Sequence, residues 1–358
     1  MKGLVVALRA LGDMVLITPI VRALKQRGGF HSLTLMVDAL GAEVFMHNPW
    51  IDCLMVVDRV AHRRRPWPSR LVADWALMRA LRRERYDVAV DLFPGPRSAM
   101  LTRVSGAPRR YGQDAGRRAR GLYYTDRITV REVGHHLVEQ KLQVIRPLIG
   151  LDQPDLALEV VLTDQERAWG KTALRDRGLQ PNRRLVGFFP GGGWVHKQWP
   201  VERFAALGDR LRQVAEAEIL VVGGERDREA CRAVAAMMAR PPLLFDGLTS
   251  LRRTMALIAR TDVFISNDTG PMHVAVALGR PTIALFGPSD VIKYGPWGPN
   301  GVVIRRPLPC SPCPQQVDTC HLNGRSRQEC MTSITVDEVA DHAERLLTIP
   351  HREVIHDG

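Results

Sequence analysis

The stretch SNDTGPMHVAVALGRPTIALFG, residues 266–287, sets an Asp, a Thr-Gly-Pro turn and a His between two apolar runs. The overlapping DVFIS (262–266) reads as a buried strand, and Pro271 suits the first turn of a helix that carries MHVAVAL. The polar set therefore falls at a strand-to-helix junction. There the backbone N–H groups of Thr269, Gly270 and Met272 and the positive helix end are expected to face an anion. TIALFG (282–287) supplies the next strand, giving one βαβ unit of a parallel sheet.

The same alternation extends in both directions. GLVVALR (3–9), LTLMVD (33–38), CLMVVD (53–58) and DVAVDL (87–92) read as strands, with helical patterns near 14–27, 69–84 and 97–104 between them. RLVGFFPG (184–191), EILVVGG (218–224), PLLFDG (242–247) and DVFISND (262–268) repeat the scheme, with helices near 201–215, 227–239 and 250–260. The predicted class is α/β: two doubly wound domains facing each other across a cleft. The join is expected at 150–165, where Gly, Asp and Pro break the periodicity. The expected domains are 1–160 and 161–334. A helix follows within 335–358, with Thr335 as N-cap and Glu338 completing a capping box.

A chain of 358 residues with 45% hydrophobic and 25% charged content suits two soluble domains, and no run approaches twenty uninterrupted apolar residues. The start, MKGLVVALRALGDMVL, is broken by Arg9 and Asp13 and lacks a small-residue cleavage site, so it reads as a first strand and a cytoplasmic location is expected. The net charge of +12 implies attraction to nucleic acid, an anionic lipid surface or phosphorylated substrates, without choosing among them.

Ligands of open parallel sheets bind beyond the carboxyl ends of the strands, so the informative residues should follow strands. Gly12 and Asp13 follow the first. Asp13 is either a helix residue favoured by the dipole, worth about 0.3–1 kcal/mol, or a base that takes a proton from a bound hydroxyl. Thr18 and Pro19 lie inside that helical stretch, where Pro is tolerated only if a helix begins or kinks. In FFPGGGWVHKQWP (188–200), Gly191, Gly192 and Gly193 leave backbone N–H groups to cradle phosphates and Lys197 adds a cation; the bland reading is a flexible loop. Glu225 in VVGGERDREA (221–230) either accepts from ribose hydroxyls or caps the next helix. Asp268 fixes its loop or accepts a sugar hydroxyl. His273 is either a satisfied core imidazole or a phosphate donor.

Arg63, Arg64 and Arg65 beside Trp67 form a basic run that is either a solvated face or a clamp on an anionic acceptor, and PRRYGQDAGRRARGLYY (108–124) adds more Arg. Cys310, Cys313, Cys320 and Cys330, with His321 as a spare ligand, admit either a structural zinc or reduced thiols that pack a loop.

The ordered series GDMVLITP (12–19), DLFPGPRSAMLTRVSGAPRRYG (91–112), KQWP (197–200), NDTGPMHVAVALGRPTIALFG (267–287) and the CSPC…CM tail resembles glycosyltransferase family 9, the ADP-heptose:lipopolysaccharide heptosyltransferases. The first segment and PRS…SGA look nearest to heptosyltransferase III-like members. The resemblance implies a GT-B fold: acceptor on the first Rossmann-like domain, nucleotide sugar on the second, and the last helix crossing back to the first. It also implies metal-independent, inverting heptose transfer from ADP-heptose to a lipid-linked inner-core acceptor, with no cofactor. By position it makes Asp13 the general base, places Lys197 at the donor phosphates and Glu225 at the ribose, and gives Asp268, Thr269, Gly270, Pro271, Met272 and His273 to the donor signature. Gly12, Arg63, Arg64 and Arg65 are expected on the acceptor side, with contact at the inner membrane. Gly191, Gly192 and Gly193 stand where several family members carry hydroxyl residues, and Arg9 and Ala10 replace small hydroxyl residues before the Gly-Asp pair.

Three rival readings remain at this point. They are a transferase using another nucleotide sugar, a sugar-nucleotide 2-epimerase of the same architecture, and a non-catalytic basic nucleic-acid-binding protein. No aromatic RNA-binding motif or basic recognition helix supports the last, so nucleic acid is not an expected partner.

Overall fold

The computed structural model describes residues 1–58, 66–114, 120–247, 250–313, 320 and 328–348. Two compact units divide the chain, Met1–Val161 and Leu162–Gly358.

In the first unit, β1 (Lys2–Val6), β2 (Ser32–Val37), β3 (Cys53–Val56), β4 (Val88–Asp91), β5 (Arg109–Gln113) and β6 (Asp126–Ile128) form one sheet in the order β3-β2-β1-β4-β5-β6. Every pairing is parallel. Residues Gly3–Val6 and all of β4 are buried, as central strands covered on both faces must be. Val6 pairs with Met36 on one side and Asp91 on the other, so β1 and β4 end level. The sheet order reverses between these two strands.

The first helical stretch is two helices, Leu11–Leu16 and Thr18–Arg27, rather than one. Pro19 falls in the first turn of the second, where its missing N–H leaves no helical bond unmade. The Thr18 hydroxyl donates to the Val15 carbonyl (2.8 Å) and accepts from the Glu159 amide (3.1 Å), fixing the break.

The second unit repeats the order. Its strands β7 (Leu185–Phe189), β8 (Glu218–Gly223), β9 (Leu243–Asp246), β10 (Val263–Asn267), β11 (Thr282–Phe286) and β12 (Gly301–Arg305) lie as β12-β11-β10-β7-β8-β9, all parallel. Counted from β7, this is the arrangement of the first sheet, the doubly wound dinucleotide-fold order. Phe189 pairs with Ser266, so the loops leaving β7 and β10 emerge side by side.

The core beneath those loops is anchored by Trp199. This fully buried indole meets Phe204 edge-on at 5.0 Å, and its N–H donates to the Ile334 carbonyl at 3.0 Å. The helix Val336–Thr348 lays Val339, Ala340, Ala343 and Leu347 into the same cluster, so the last described helix belongs to the second unit's core. Residues 349–358, which the expected crossing to the first domain needs, lie outside the described residues. The Thr335 hydroxyl accepts from the Glu338 amide as expected. The Glu338 carboxylate instead pairs with Arg306, which holds its acidity stronger than usual.

Candidate active site

The ends of β7 and β10 bring Lys197, Asp268 and the glycine loop together. The Lys197 ammonium lies 2.8 Å from Oδ2 of the buried Asp268, and the Ser289 hydroxyl donates to the same oxygen. Lys197 reaches this point because VHK (195–197) makes one 3-10 turn between the glycines and the buried Trp199. The Trp199 amide donates to the Asn267 side-chain carbonyl (2.9 Å), and the Asn267 amide group donates to the carbonyls of Pro190 (2.9 Å) and Gly191 (3.0 Å). Asn267 therefore ties both loops to the end of its own strand. No polar group at this junction is decorative: each buried donor and acceptor needs a partner once water is excluded.

The glycine loop is not the open cradle expected from its composition. The Gly192 amide donates to Asp227 Oδ1 (3.1 Å), so it is unavailable to an anion, and the Gln198 amide group holds the Gly192 carbonyl (2.8 Å). A Cβ on Gly191 would sit 2.1 Å from the same Asp227 oxygen, and Gly192 takes φ of +153°. These glycines serve close approach and an unusual backbone angle. Asp227 also accepts from the Gly224 amide (3.1 Å); burial pushes its carboxyl pKa up, and the two backbone hydrogen bonds pull it back. Gly193 is exposed beside these contacts.

The helix Gly270–Ala277 starts beyond β10 with Thr269 as its N-cap and Pro271 in its first turn. The Thr269 hydroxyl turns back toward Ser266 Oγ (3.1 Å), and no side chain caps the first turn. The Met272 amide departs from expectation: it closes onto the Thr269 carbonyl (3.2 Å), and its side chain is fully buried against Ala284 and Phe286. Met272, the third residue of the helix after its Thr269 N-cap, is therefore a core residue facing the sheet. His273 is buried as well, at 4% exposure. Glu225 is exposed and opens a short 3-10 turn after β8, beside Gly247.

At the matching junction of the first unit, Gly12 and Asp13 occupy the first turn of the helix Leu11–Leu16, directly after β1, and both are half-buried. The level end of β4 supplies a second carboxylate, Asp91, which the sequence reading did not single out. It accepts from the Tyr124 hydroxyl (2.7 Å) and the Phe93 amide (3.1 Å). Burial pushes its pKa up to about 6 against the pull of Tyr124, Ser98 and the Lys141 charge. Lys141 and Arg9 both lie over the Phe93 ring, at 4.6 and 5.8 Å from its centroid. Two cations and an aromatic face thus border the end of this sheet.

Arg63, Arg64 and Arg65 lie outside the described residues, as does His321. The basic stretch at 108–124 includes β5: Arg110 is spent on the carbonyls of Tyr123 (2.8 Å) and Ala107 (2.7 Å), holding the strand rather than an acceptor. Residues 115–119 of that stretch are also outside. Cys310, Cys313 and Cys330 are partly buried and Cys320 is exposed, all as free thiols. Burial, with Cys310 and Cys320 nearby, pushes Cys330 up to about 11. Among the described residues no three His, Cys, Asp or Glu side chains converge as a metal site.

Residues 74–323 match the family model described as "Glycosyltransferase family 9 (heptosyltransferase)". The chain is 26% identical over 296 residues to lipopolysaccharide heptosyltransferase 3 of Escherichia coli K12, covering 82% of this chain and 84% of that protein. Type 2 heptosyltransferases match at a similar level. The crystal structure of a family 9 glycosyl transferase from Veillonella parvula superposes with a TM-score of 0.84 at 25% identity, covering 97% of both chains. The E. coli heptosyltransferase WaaC solved with ADP shares the fold, with a TM-score of 0.74 at 20% identity over 97% of this chain and all of that one. With a family model spanning most of its length and a doubly wound six-stranded sheet in each unit, the chain belongs to glycosyltransferase family 9.

Proposed function

We propose that this glycosyltransferase moves a heptose from ADP-heptose to the inner core of lipopolysaccharide, inverting the anomeric carbon. The observation that carries the reading is the Lys197–Asp268 pair at the order reversal of the second sheet, beside a helix start that no side chain caps. A nucleoside diphosphate suits that position: its charge meets Lys197 and the helix end, and dinucleotide folds hold ligands at this reversal. Family membership and the ADP seen with WaaC support ADP as the nucleotide.

In this mechanism an acceptor hydroxyl oxygen attacks the anomeric carbon opposite the leaving diphosphate. The new C–O bond forms as the bond to the phosphate oxygen breaks, ADP leaves with the electron pair, and Asp13 takes the hydroxyl proton. Lys197 and the amides of Thr269 and Gly270 meet charge that grows on the diphosphate, which makes them worth more in the transition state than in bound donor. Glu225 accepts from the ribose, and Gly12, Arg9 and Lys141 border the acceptor. With a lipid-linked acceptor, this reading has the enzyme working at the cytoplasmic face of the inner membrane.

Calorimetric titration with ADP, UDP and GDP tests the donor assignment. Selective ADP binding that weakens in Asp268→Ala supports it; selective UDP or GDP binding keeps the glycosyltransferase and removes the heptose donor.

A further inference from the structure

The helix Trp67–Arg83 is an anomaly in this fold. It runs seventeen residues and buries only Leu81, although its sequence is rich in apolar side chains. Its last turns hold Leu77 and Leu81 against the first unit's core, while Trp67 (71% exposed), Leu71 (57%), Val72 (66%) and Trp75 (57%) stand in solvent. At 3.6 residues per turn, Trp67, Leu71, Trp75 and Met78 fall within about 80° of one another, so they form one stripe. A 570 Å³ cavity adjoins the lower end of that stripe, lined by Trp75, Met78, Arg79, Arg82, Arg83 and Arg85 among others. The two acids of this segment are taken up by other cations: Asp74, about 20° round the helix from Trp67, pairs with Arg97 (3.3 Å), and Glu84 pairs with Lys2. The arginine cluster therefore keeps its positive charge.

We infer that the Trp67–Arg83 helix is a docking face for an anionic phospholipid bilayer, with the apolar stripe in the acyl boundary and the arginine-lined cavity taking headgroup phosphates. Charge complementarity selects this occupant. A protein partner of ordinary chemistry covers an apolar stripe but leaves four guanidinium groups to be matched; an anionic lipid surface answers both, with Trp at the interface and Arg at phosphate. No described helix is long and apolar enough to cross a membrane, so the contact is a peripheral one. It rests on the inner-membrane location proposed above and is distinct from the residues proposed for glycosyl transfer, which follow β1, β6, β7, β8 and β10.

The test is flotation of the full chain with vesicles of phosphatidylglycerol in phosphatidylcholine, against phosphatidylcholine alone. The wild type is expected to float only with the anionic vesicles and to be released by salt. At roughly 1 kcal/mol per basic residue at such a surface, Arg82→Ala/Arg83→Ala should partition about thirtyfold more weakly. Brominated lipid should quench the wild type and fail to quench Trp67→Phe/Trp75→Phe to the same extent. ADP affinity, unchanged in both variants, certifies that they are folded and separates this result from the donor assignment. Absence of flotation with anionic vesicles, or equal flotation of the arginine variant, overturns the inference. So does stabilisation of the protein by inorganic phosphate without flotation, which makes the cavity a site for free phosphate.

Discussion

Lys197 and Asp268 are seventy-one residues apart in sequence and 2.8 Å apart at the ends of neighbouring strands β7 and β10. The carboxylate also receives the Ser289 hydroxyl, so it holds the ammonium at the mouth of the strand ends without neutralising the helix start beside it. Asp268→Ala removes the group that positions the cation. Since hydrogen bonds to charged groups contribute about 1.5–3 kcal/mol, ADP affinity should fall roughly ten- to hundredfold, read by calorimetry. Lys197→Ala should weaken ADP binding and also slow transfer; unchanged affinity together with unchanged rate would remove Lys197 from the site.

Asp13 carries a different expectation. General-base help is worth about 10²–10⁴ in rate, so Asp13→Ala should lower kcat by that range and leave ADP affinity nearly unchanged. Near-normal turnover removes it from the mechanism.

Gly191 is a steric prediction. A methyl group there meets Asp227 Oδ1 at 2.1 Å, so Gly191→Ala must push the carboxylate off the Gly192 amide. Overpacking of this kind costs about 1–3 kcal/mol. The melting temperature should fall, with ADP binding weakened as the loop shifts. Gly193→Ala, with no atom within 4 Å of the added Cβ, serves as the tolerant control.

Asp91 predicts a pH dependence of stability. Its folded pKa, about 6, lies above the ordinary carboxyl value of 3.8, so the folded state binds the proton more tightly than the unfolded chain does. The associated stability is fully present below pH 3.8 and is lost as pH rises through 6. The window is worth about 3 kcal/mol at 1.36 kcal/mol per unit. Denaturant melts of Asp91→Asn across pH 4–6.5 should lack this decline; an identical slope in both proteins contradicts the assignment.

Much of this architecture is legible in sequence because parallel central strands are uninterrupted apolar runs. Val88–Asp91, Leu185–Phe189 and Val263–Asn267 fall inside the stretches that composition alone marks. The last two strands of the first sheet, β5 and the edge strand β6, are not. RRYGQ opens β5 with two arginines, and DRI makes a three-residue β6, so neither carries a hydrophobic run to detect. The helix Leu137–Ile149 contains Pro147 near its end, which blurs its periodicity.

The site divides along a similar line. Lys197, Asp268 and Asp13 announce themselves as polar groups just after strands. Asp227, Asn267 and Ser289 do not, because their significance lies in partners 21 to 77 residues away. Met272 shows the reverse error. A local pattern gave its amide to an anion, and the turn geometry gave it to Thr269.

The central claim is heptose transfer, and the most direct measurement supplies ADP-heptose together with inner-core lipopolysaccharide lacking its terminal heptose. Mass spectrometry then follows the acceptor while ADP release is monitored. The account predicts one added heptose per acceptor, an equal amount of ADP, and loss of both in Asp13→Ala. ADP released without a heptosylated acceptor, or an unmodified acceptor with intact donor, would contradict it.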